Sequence, residues 1–356
     1  MEVRAALDAG YEVTVVTKQL AESLRGRVEW LRLTVPPRLF ALQWLTALHF
    51  YRQALGKRKF DVIHAHQPQT ASLADVFECH YLTRVAYETR TLDCRRSLRG
   101  RAVWVQQQIV LYAEDYFYRH FNPRTLMLYN SGVTRDNFHR VYGTLPAEGI
   151  LVPAFPHLDD AGEEERRAAR GKLLKQHLAA ASNKLVVGYL GGIQLTKGYD
   201  RLIKAMEGEP DLFLLMGGPY SENFRIPSLP GRAATLGLVA DTRTFYAACD
   251  VVVMPSVHET FGLVAVEAAA RGTPVVVTPT VGAAPHLAEF GAGLIWNPAE
   301  PLGPLVRQAV LRRRELGAGA ARMADGLSAE RRAAALVEIW NRVAARRGAT
   351  SVSTDH

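Results

Sequence analysis

The chain has 356 residues, enough for two domains, and its 48% hydrophobic and 22% charged content is that of a globular protein rather than a disordered or fibrous one. Its net charge of +8 comes from 43 Lys+Arg against 35 Asp+Glu, but no nucleic-acid module is present and the basic residues do not interleave with aromatics, which excludes a base-stacking surface and leaves phosphorylated ligands or an anionic membrane. No apolar run reaches the roughly 18 residues of a membrane span, the start MEVRAALDAG lacks the apolar core of a signal peptide, and Cys79, Cys94 and Cys249 have no metal spacing, so a reduced, cytoplasmic protein is expected.

Val3–Ala9 predicts the end of a helix closed by Gly10, and Glu12–Thr17 (EVTVVT) a strand. An α/β domain of the nucleotide-binding kind opens with a strand and a Gly-rich turn ahead of its first helix. Neither precedes Val3, so the expectation is a chain that starts downstream of both. Val28–Val35 is a strand ended by Pro36–Pro37. Arg38–Gly56 carries Leu39, Leu42, Leu45, Leu48 and Leu55 at helical spacing, with Phe40, Trp44, Phe50 and Tyr51, and the basic run Lys57–Lys59 follows. Two readings stand: a helix covering a sheet, or an interfacial helix with a cationic end. Phe60–Ala65 is a buried strand leading to His64, His66 and Pro68, and Ala74–Cys79 another ending at His80. Both end at the carboxyl edge, where open α/β sheets bind ligands. Arg84–Arg101 contains Arg84, Arg90, Arg95, Arg96, Arg99 and Arg101 against Glu88 and Asp93, which suits a solvated loop, phosphate recognition or an anionic bilayer. A long helix (Ala102–Phe121), a strand (Thr125–Tyr129), a helix (Gly132–Val141) and a strand (Gly149–Pro153) complete the first domain. Asp159–Lys175 reads as a charged surface helix, and Ala179–Asn183 as the interdomain joint.

In the second half, the strand Lys184–Leu190 runs into Gly191, Gly192 and Lys197, and Leu212–Met216 ends in Gly217 and Gly218, Gly-rich turns that offer backbone N–H groups to phosphate. Ala233–Leu236 is a strand and Thr242–Ala248 a short helix. Cys249–Pro279 then forms a βαβ unit: strand Asp250–Met254, polar elbow Val257–Thr260, helix Phe261–Arg271 closed by Gly272, strand Val275–Thr278. Glu259 stands in the elbow and Glu267 inside the helix, which is otherwise apolar and therefore expected to be buried. A buried carboxylate needs a partner. For Glu267 that is either Arg271 at i,i+4 or the hydroxyls of a ligand. The helix start presents the N–H groups of Phe261, Gly262 and Leu263 to an anion, and Gly262 has no side chain to obstruct it. Ser328–Arg347 is a final amphipathic helix with Leu336, Ile339, Trp340 and Val343; the tail from Gly348 is expected to be unordered.

The run E-T-F-G-L-V-A-V-E from Glu259 to Glu267, followed by A-x-x-x-G-x-P-V-V, resembles the donor-site signature of the retaining glycosyltransferases of family four, whose fold is GT-B. The resemblance implies an α/β protein of two Rossmann-like domains facing each other across a cleft, with the first strand and Gly-rich loop missing. Residues 1–180 would be the acceptor-side domain and 181–327 the nucleotide-sugar donor domain, while the helix 328–347 would cross back to the first. The implied reaction is transfer of a sugar from a UDP- or GDP-linked donor to a hydroxyl, with no cofactor and no metal. Glu259 would contact the sugar hydroxyls, the amides from Phe261, Gly262, Leu263 and Val264 would face sugar and phosphate, and Glu267 would hold the ribose diol. Lys197 matches the lysine that holds the diphosphate, and Gly191, Gly217 and Gly218 line the same edge. The family's second basic residue falls on Gly192, so one phosphate charge is replaced by backbone. A histidine facing the donor sugar falls on His80, so that Glu259, His80 and Lys197 form the implied catalytic set. Thr280–Ala284 resembles the small-residue turn near the sugar. The layout LYAEDYFYRHFNPRTLMLYN followed by VPAFPH is loosely similar to the lipopolysaccharide-core glucosyltransferases, which implies cell-envelope synthesis, a lipid-linked or anionic acceptor and a place at the cytoplasmic face of a membrane. The rival readings are a non-catalytic binding protein of the same fold and a nucleotide-sugar epimerase.

Overall fold

The computed structural model describes residues 2–33, 40–88, 98–175 and 178–352, without the side chains of 40–45, 98–103, 178–179 and 347–352. The chain forms two compact units: the residues up to Val152 together with those from Ala329 on, and Pro153–Ser328.

Among the described residues the first unit holds two parallel sheets. In one, β1 (Thr14–Thr17) pairs with β2 (Glu29–Arg32); in the other, β3 (His64–Ala65), β4 (Val76–Cys79), β5 (Leu126–Tyr129) and β6 (Glu148–Ile150) lie in chain order. Of the expected strand Phe60–Ala65 only His64–Ala65 is regular strand; ahead of it the Ile63 amide donates to the Asp75 carboxylate at 2.8 Å and the Ile63 carbonyl accepts from the Asp75 and Val76 amides. Phe77, Met127, Tyr129 and Phe138 are wholly buried and form the core between this sheet and its helices. The helix Gly132–Tyr142 packs there; Ser131 caps its start by accepting from the Thr134 amide, and Gly143 ends it at φ 81°. The helix Leu98–Arg119 buries Val110, Leu111, Ala113, Phe117 and Tyr118, and exposes Val105, Tyr112 and Tyr116 along one face. The C-terminal helix Ala329–Val352 lays Leu336, Ile339 and Trp340 on Ala5, Val76, Leu128 and Leu151, and continues past Gly348, where the sequence led us to expect order to end. Consecutive residues of two strand edges, Val13–Thr17 and Val62–Gln67, border a cavity of about 520 Å³, roofed by Val3, Ala6, Tyr51, Leu55 and Trp340. Successive side chains of a strand point to opposite faces, so an unbroken run of lining residues marks a backbone edge.

Among the described residues the second unit holds one parallel sheet. Its strands are β7 (Leu185–Leu190), β8 (Leu212–Gly217), β9 (Ala233–Thr235), β10 (Val251–Met254), β11 (Val275–Val277) and β12 (Leu294–Ile295), in the spatial order β12-β11-β10-β7-β8-β9. From β7 the chain steps out to β9, returns to the other side of β7 at β10 and continues to β12. This is the 3-2-1-4-5-6 order of the Rossmann fold, with its switch point between β7 and β10. The strands are continuous apolar runs because helices cover both faces. The short edge strand β12 and the helices Ala284–Glu289, Leu302–Leu311 and Arg313–Gly326 were not foreseen from the sequence.

The structure moves the domain boundary from residue 180 to Val152/Pro153. The charged segment 159–173, read as belonging to the first domain, packs on the second unit. The carboxylates of Asp159 and Glu165 pair with Arg271, Arg166 donates to Asp160 and to the Gly272 carbonyl, and Arg170 donates to the Ala248 carbonyl.

Candidate functional site

The carboxyl ends of β7 and β10 bring the second-unit candidates together. Beyond β7 the chain turns through Gly191 and Gly192 into a short 3₁₀ turn, Leu195–Lys197. Gly198 follows at φ 68°, and a Cβ there would lie 1.9 Å from the Pro255 carbonyl oxygen. Only glycine lets the β7 loop rest on the β10 loop this closely. The Val257 amide donates to the Thr196 carbonyl at 2.9 Å and zips the two loops together. As a result Lys197 Nζ meets Glu259 Oε2 at 2.5 Å, with side-chain exposures of 34% and 13%. The elbow is fixed on its other side by Thr280–Ala284: Gly282 donates to the Glu259 carbonyl at 3.0 Å and Ala283 to that of Phe261 at 2.7 Å.

Gly262, at φ 100°, begins the helix Leu263–Ala270, and a Cβ on it would lie 2.6 Å from Val281. Phe261 is buried and anchors the turn. Ala265, Val266, Ala268, Ala269 and Ala270 are buried, whereas Leu263 is 51% exposed and Val264 and Glu267 are partly exposed. The helix therefore has an open face, and Glu267 stands on it; the expectation of burial all round is corrected. Of the two partners left open for Glu267, Arg271 drops out. Arg271, 4% exposed, turns inward to Asp159 and Glu165, while Glu267 Oε2 accepts from the Tyr246 hydroxyl at 2.7 Å. Burial, and then the Glu267 hydrogen bond, push the Tyr246 phenol upward, so it remains a donor. Tyr246 was missed by the sequence reading: nothing in its spacing links it to Glu267.

Parallel pairing sets Leu190 against Gly217, and the Gly191 amide donates to the Gly217 carbonyl at 2.9 Å. Gly218 comes so near that a Cβ would lie 2.2 Å from the Gly191 oxygen. The Tyr189 hydroxyl, buried and pushed upward by that burial, donates to the Gly192 carbonyl at 2.9 Å. Gly192 is not sterically required: a Cβ there meets only Gln194, at 3.6 Å.

His80 belongs to the first unit, apart from the other candidates in sequence. It follows β4 and sits in a cluster with Glu2, His64, His66, Glu78 and Arg332. His66 Nε2 lies 2.9 Å from Glu2 Oε2, and His66 Nδ1 lies 3.0 Å from His80 Nε2. Arg332 donates to both oxygens of Glu78 at 2.8 and 2.9 Å, and to Glu2 at 3.1 Å. His64 Nδ1 accepts from the Trp340 indole at 3.2 Å, so its Nε2 bears the hydrogen. Ligating atoms of Glu2, His64 and His66, and of His66, Glu78 and His80, lie within 4.8 Å of each other. The donor set suits shared protons better than a metal, because His64 Nε2 is a donor and both Glu78 oxygens are held by a guanidinium. Glu2 and Arg332 come from opposite ends of the chain, and no sequence signal connected them to the histidines.

Of the arginine-rich stretch, Arg84 lies in the helix Thr83–Glu88 and pairs with Asp115. Arg90, Arg95 and Arg96, and the side chains of Trp44, Arg99 and Arg101, lie outside the described residues.

The family model described as "Glycosyl transferases group 1" matches residues 172–301, and that described as "Glycosyl transferase 4-like domain" matches residues 1–154. Glycosyltransferase domain models thus match both units of the chain. Among curated relatives, a D-inositol 3-phosphate glycosyltransferase of Geodermatophilus obscurus is 28% identical over 326 residues, 82% of this chain and 68% of the relative. One of Actinosynnema mirum is 35% identical over 178 residues, 44% of this chain and 41% of the relative, so against this second glycosyltransferase the chain spans well under half its length. Among solved structures, sucrose-phosphate synthase from Thermosynechococcus elongatus is similar with a TM-score of 0.71 at 18% identity, covering 96% of this chain and 91% of that one. WaaG, a glycosyltransferase involved in lipopolysaccharide biosynthesis, gives 0.68 at 16% identity, with 96% and 93% covered. Anabaena HepE in complex with UDP and glucose gives 0.60 at 17% identity, with 97% and 94% covered. At these identities the likeness establishes the GT-B fold of the glycosyltransferase.

Proposed function

We propose that this glycosyltransferase moves a sugar from a nucleoside-diphosphate donor to an acceptor hydroxyl with retention at the anomeric carbon. The observation that carries the reading is the Lys197–Glu259 pair at the β7/β10 switch point, in the elbow that leads into the helix start at Gly262, whose first residue Leu263 is exposed. An ammonium and helix-terminal amides suit a diphosphate, and a carboxylate suits sugar hydroxyls. Lys197 holds the diphosphate, Glu259 the sugar, Glu267 the ribose diol, and His80 offers a further sugar contact. The C1–O bond to phosphate breaks, the C1–O bond to the acceptor forms, and the acceptor proton passes to the leaving phosphate oxygen. The proposed chemistry assigns no step to a metal or cofactor. That HepE binds UDP and glucose supports a UDP-linked donor for a chain of this fold. The test is incubation with UDP- and GDP-hexoses, with and without hydroxyl acceptors, followed by proton NMR of the anomeric centre. Release of nucleoside diphosphate should require acceptor, and an α-linked donor should give an α-linked product. Conversion of the donor sugar without acceptor would make the protein an epimerase, and a β-linked product would remove retention.

We further propose peripheral docking on anionic membrane, consistent with a lipid-linked or anionic acceptor in cell-envelope synthesis at the cytoplasmic face. Val105, Tyr112 and Tyr116 expose one apolar-aromatic face of the helix Leu98–Arg119, next in sequence to the arginine-rich stretch. No helix among the described residues is long and apolar enough to cross a membrane. Basic residues near an anionic surface contribute about 1 kcal/mol each, and salt screens them over about 10 Å at 0.1 M. The protein is expected to sediment with phosphatidylglycerol vesicles, weakly with phosphatidylcholine, and to be released by salt and by Tyr112→Ser with Tyr116→Ser. Sedimentation with neither vesicle removes the proposal.

A further inference from the structure

The hydrogen bond between His66 and His80 can run in either direction, and the direction decides what His80 shows to the outside. A carboxylate only accepts, so His66 Nε2, 2.9 Å from Glu2, carries a hydrogen. If His66 Nδ1 also carries one, it donates to His80 Nε2 across 3.0 Å, and a neutral His80 keeps its single hydrogen on Nδ1. If His66 is neutral, the bond reverses: His80 donates from Nε2, and its Nδ1 is a bare acceptor.

The surrounding charges select the first arrangement. The groups packed against His66 are Glu2 from the helix Glu2–Asp8, Glu78 and His80 from β4 and the residue after it, His64 from β3, and Arg332 from the C-terminal helix. Two carboxylates share one guanidinium, which leaves one negative charge to balance. Burial raises Glu78 while Arg332 pulls the other way, and both its oxygens are held as a carboxylate's are. Burial alone would raise Glu2, yet the hydrogen bond and charge of His66 hold it well below the usual carboxylate range. The balancing proton does not go to His64, which burial and then the charge of His66 push down to about 3. Nor does it go to His80, which burial and then His66 push down to about 4. At His66 itself, burial opposes the charge, but the hydrogen bond and charge of Glu2 outweigh it and raise the group.

We propose that Glu2 and His66 are positioning residues that fix His80 as the tautomer bearing hydrogen on Nδ1, so that its 44%-exposed ring presents a hydrogen-bond donor to a sugar oxygen. The sugar contact rests on the role proposed for His80 above; the tautomer does not. The test is long-range ¹⁵N–¹H correlation NMR of the full chain labelled at histidine. At pH 7, His66 should show both nitrogens protonated and His80 hydrogen on Nδ1 alone. As pH rises through the raised titration of His66, above the usual 6.5, the His80 hydrogen should move to Nε2. Glu2→Gln should bring that change to lower pH, and Glu2→Asp should restore it. Glu2→Gln should also raise KM for the nucleotide sugar several-fold and leave UDP affinity unchanged. A wild-type His80 with hydrogen on Nε2 at pH 7 overturns the proposal. The expected tautomer with an unchanged KM leaves the relay standing and removes His80 from the sugar site instead.

Discussion

Lys197→Ala is expected to lower kcat/KM by about 10²–10³, as when one preorganised donor to a developing oxyanion is removed. The lysine is held in place by geometry: the 3₁₀ turn Leu195–Lys197 rests on the β10 loop through Gly198, and Nζ lies 2.5 Å from Glu259. Negative charge grows on the diphosphate as the glycosidic bond breaks, so the interaction is stronger in the transition state than in the ground state and its loss falls mainly on kcat. The effect should be large because Gly192 offers only backbone at the position where the family resemblance places a second cation. Stability should change little, since Lys197 is one-third exposed and pairs of that kind contribute at most about 1 kcal/mol. Steady-state kinetics at saturating acceptor, with a thermal melt as control, decide the matter. A variant with wild-type kcat would take Lys197 out of the chemistry and leave it a surface partner of Glu259.

The strand-elbow-helix-strand unit around Glu259 and Glu267 was legible because each element carries its own local signal: a Val-rich run, a polar break, Gly272 and Pro274 after the helix. Which loop meets the elbow was not legible. Strand order decides that, and the neighbour β7 lies some sixty residues upstream, so the contact of Lys197 with Glu259 needed the sheet. The spacing of Glu267 and Arg271 left their pairing open for a related reason. Residues four apart on a helix are near each other, but proximity does not say that either faces the other; burial of Arg271 called for acceptors, and Asp159 and Glu165 supply them to its two terminal nitrogens from over a hundred residues away. The same unforeseen contacts explain why the segment 159–173 belongs to the second unit. In the first unit the histidines at the ends of β3 and β4 were visible as sheet-edge residues, while their partners Glu2 and Arg332 were hidden at opposite ends of the chain.

Glu267→Gln is expected to weaken UDP binding by about 1.5–3 kcal/mol, the contribution of a hydrogen bond to a charged group, which is roughly a 10- to 150-fold rise in Kd. The structure removes the competing explanation in which Glu267 serves an ion pair with Arg271, since the Arg271 guanidinium pairs with Asp159 and Glu165 instead. What remains is a carboxylate on the open face of the helix Leu263–Ala270, with one oxygen held by the Tyr246 hydroxyl at 2.7 Å. That bond orients the group and leaves the other oxygen to accept from a diol. Glutamine keeps the shape and can still accept from Tyr246, so the fold should be unaffected and the loss should appear in binding alone. Tyr246→Phe should cost less, about 0.5–1.5 kcal/mol, because it frees the carboxylate without removing it. Calorimetric titration of both variants with UDP, and with uridine, separates the cases. Glu267→Gln should weaken both ligands alike, since the ribose is common to them, whereas Lys197→Ala should weaken UDP and spare uridine. Unchanged UDP affinity in Glu267→Gln would place the nucleoside away from this helix.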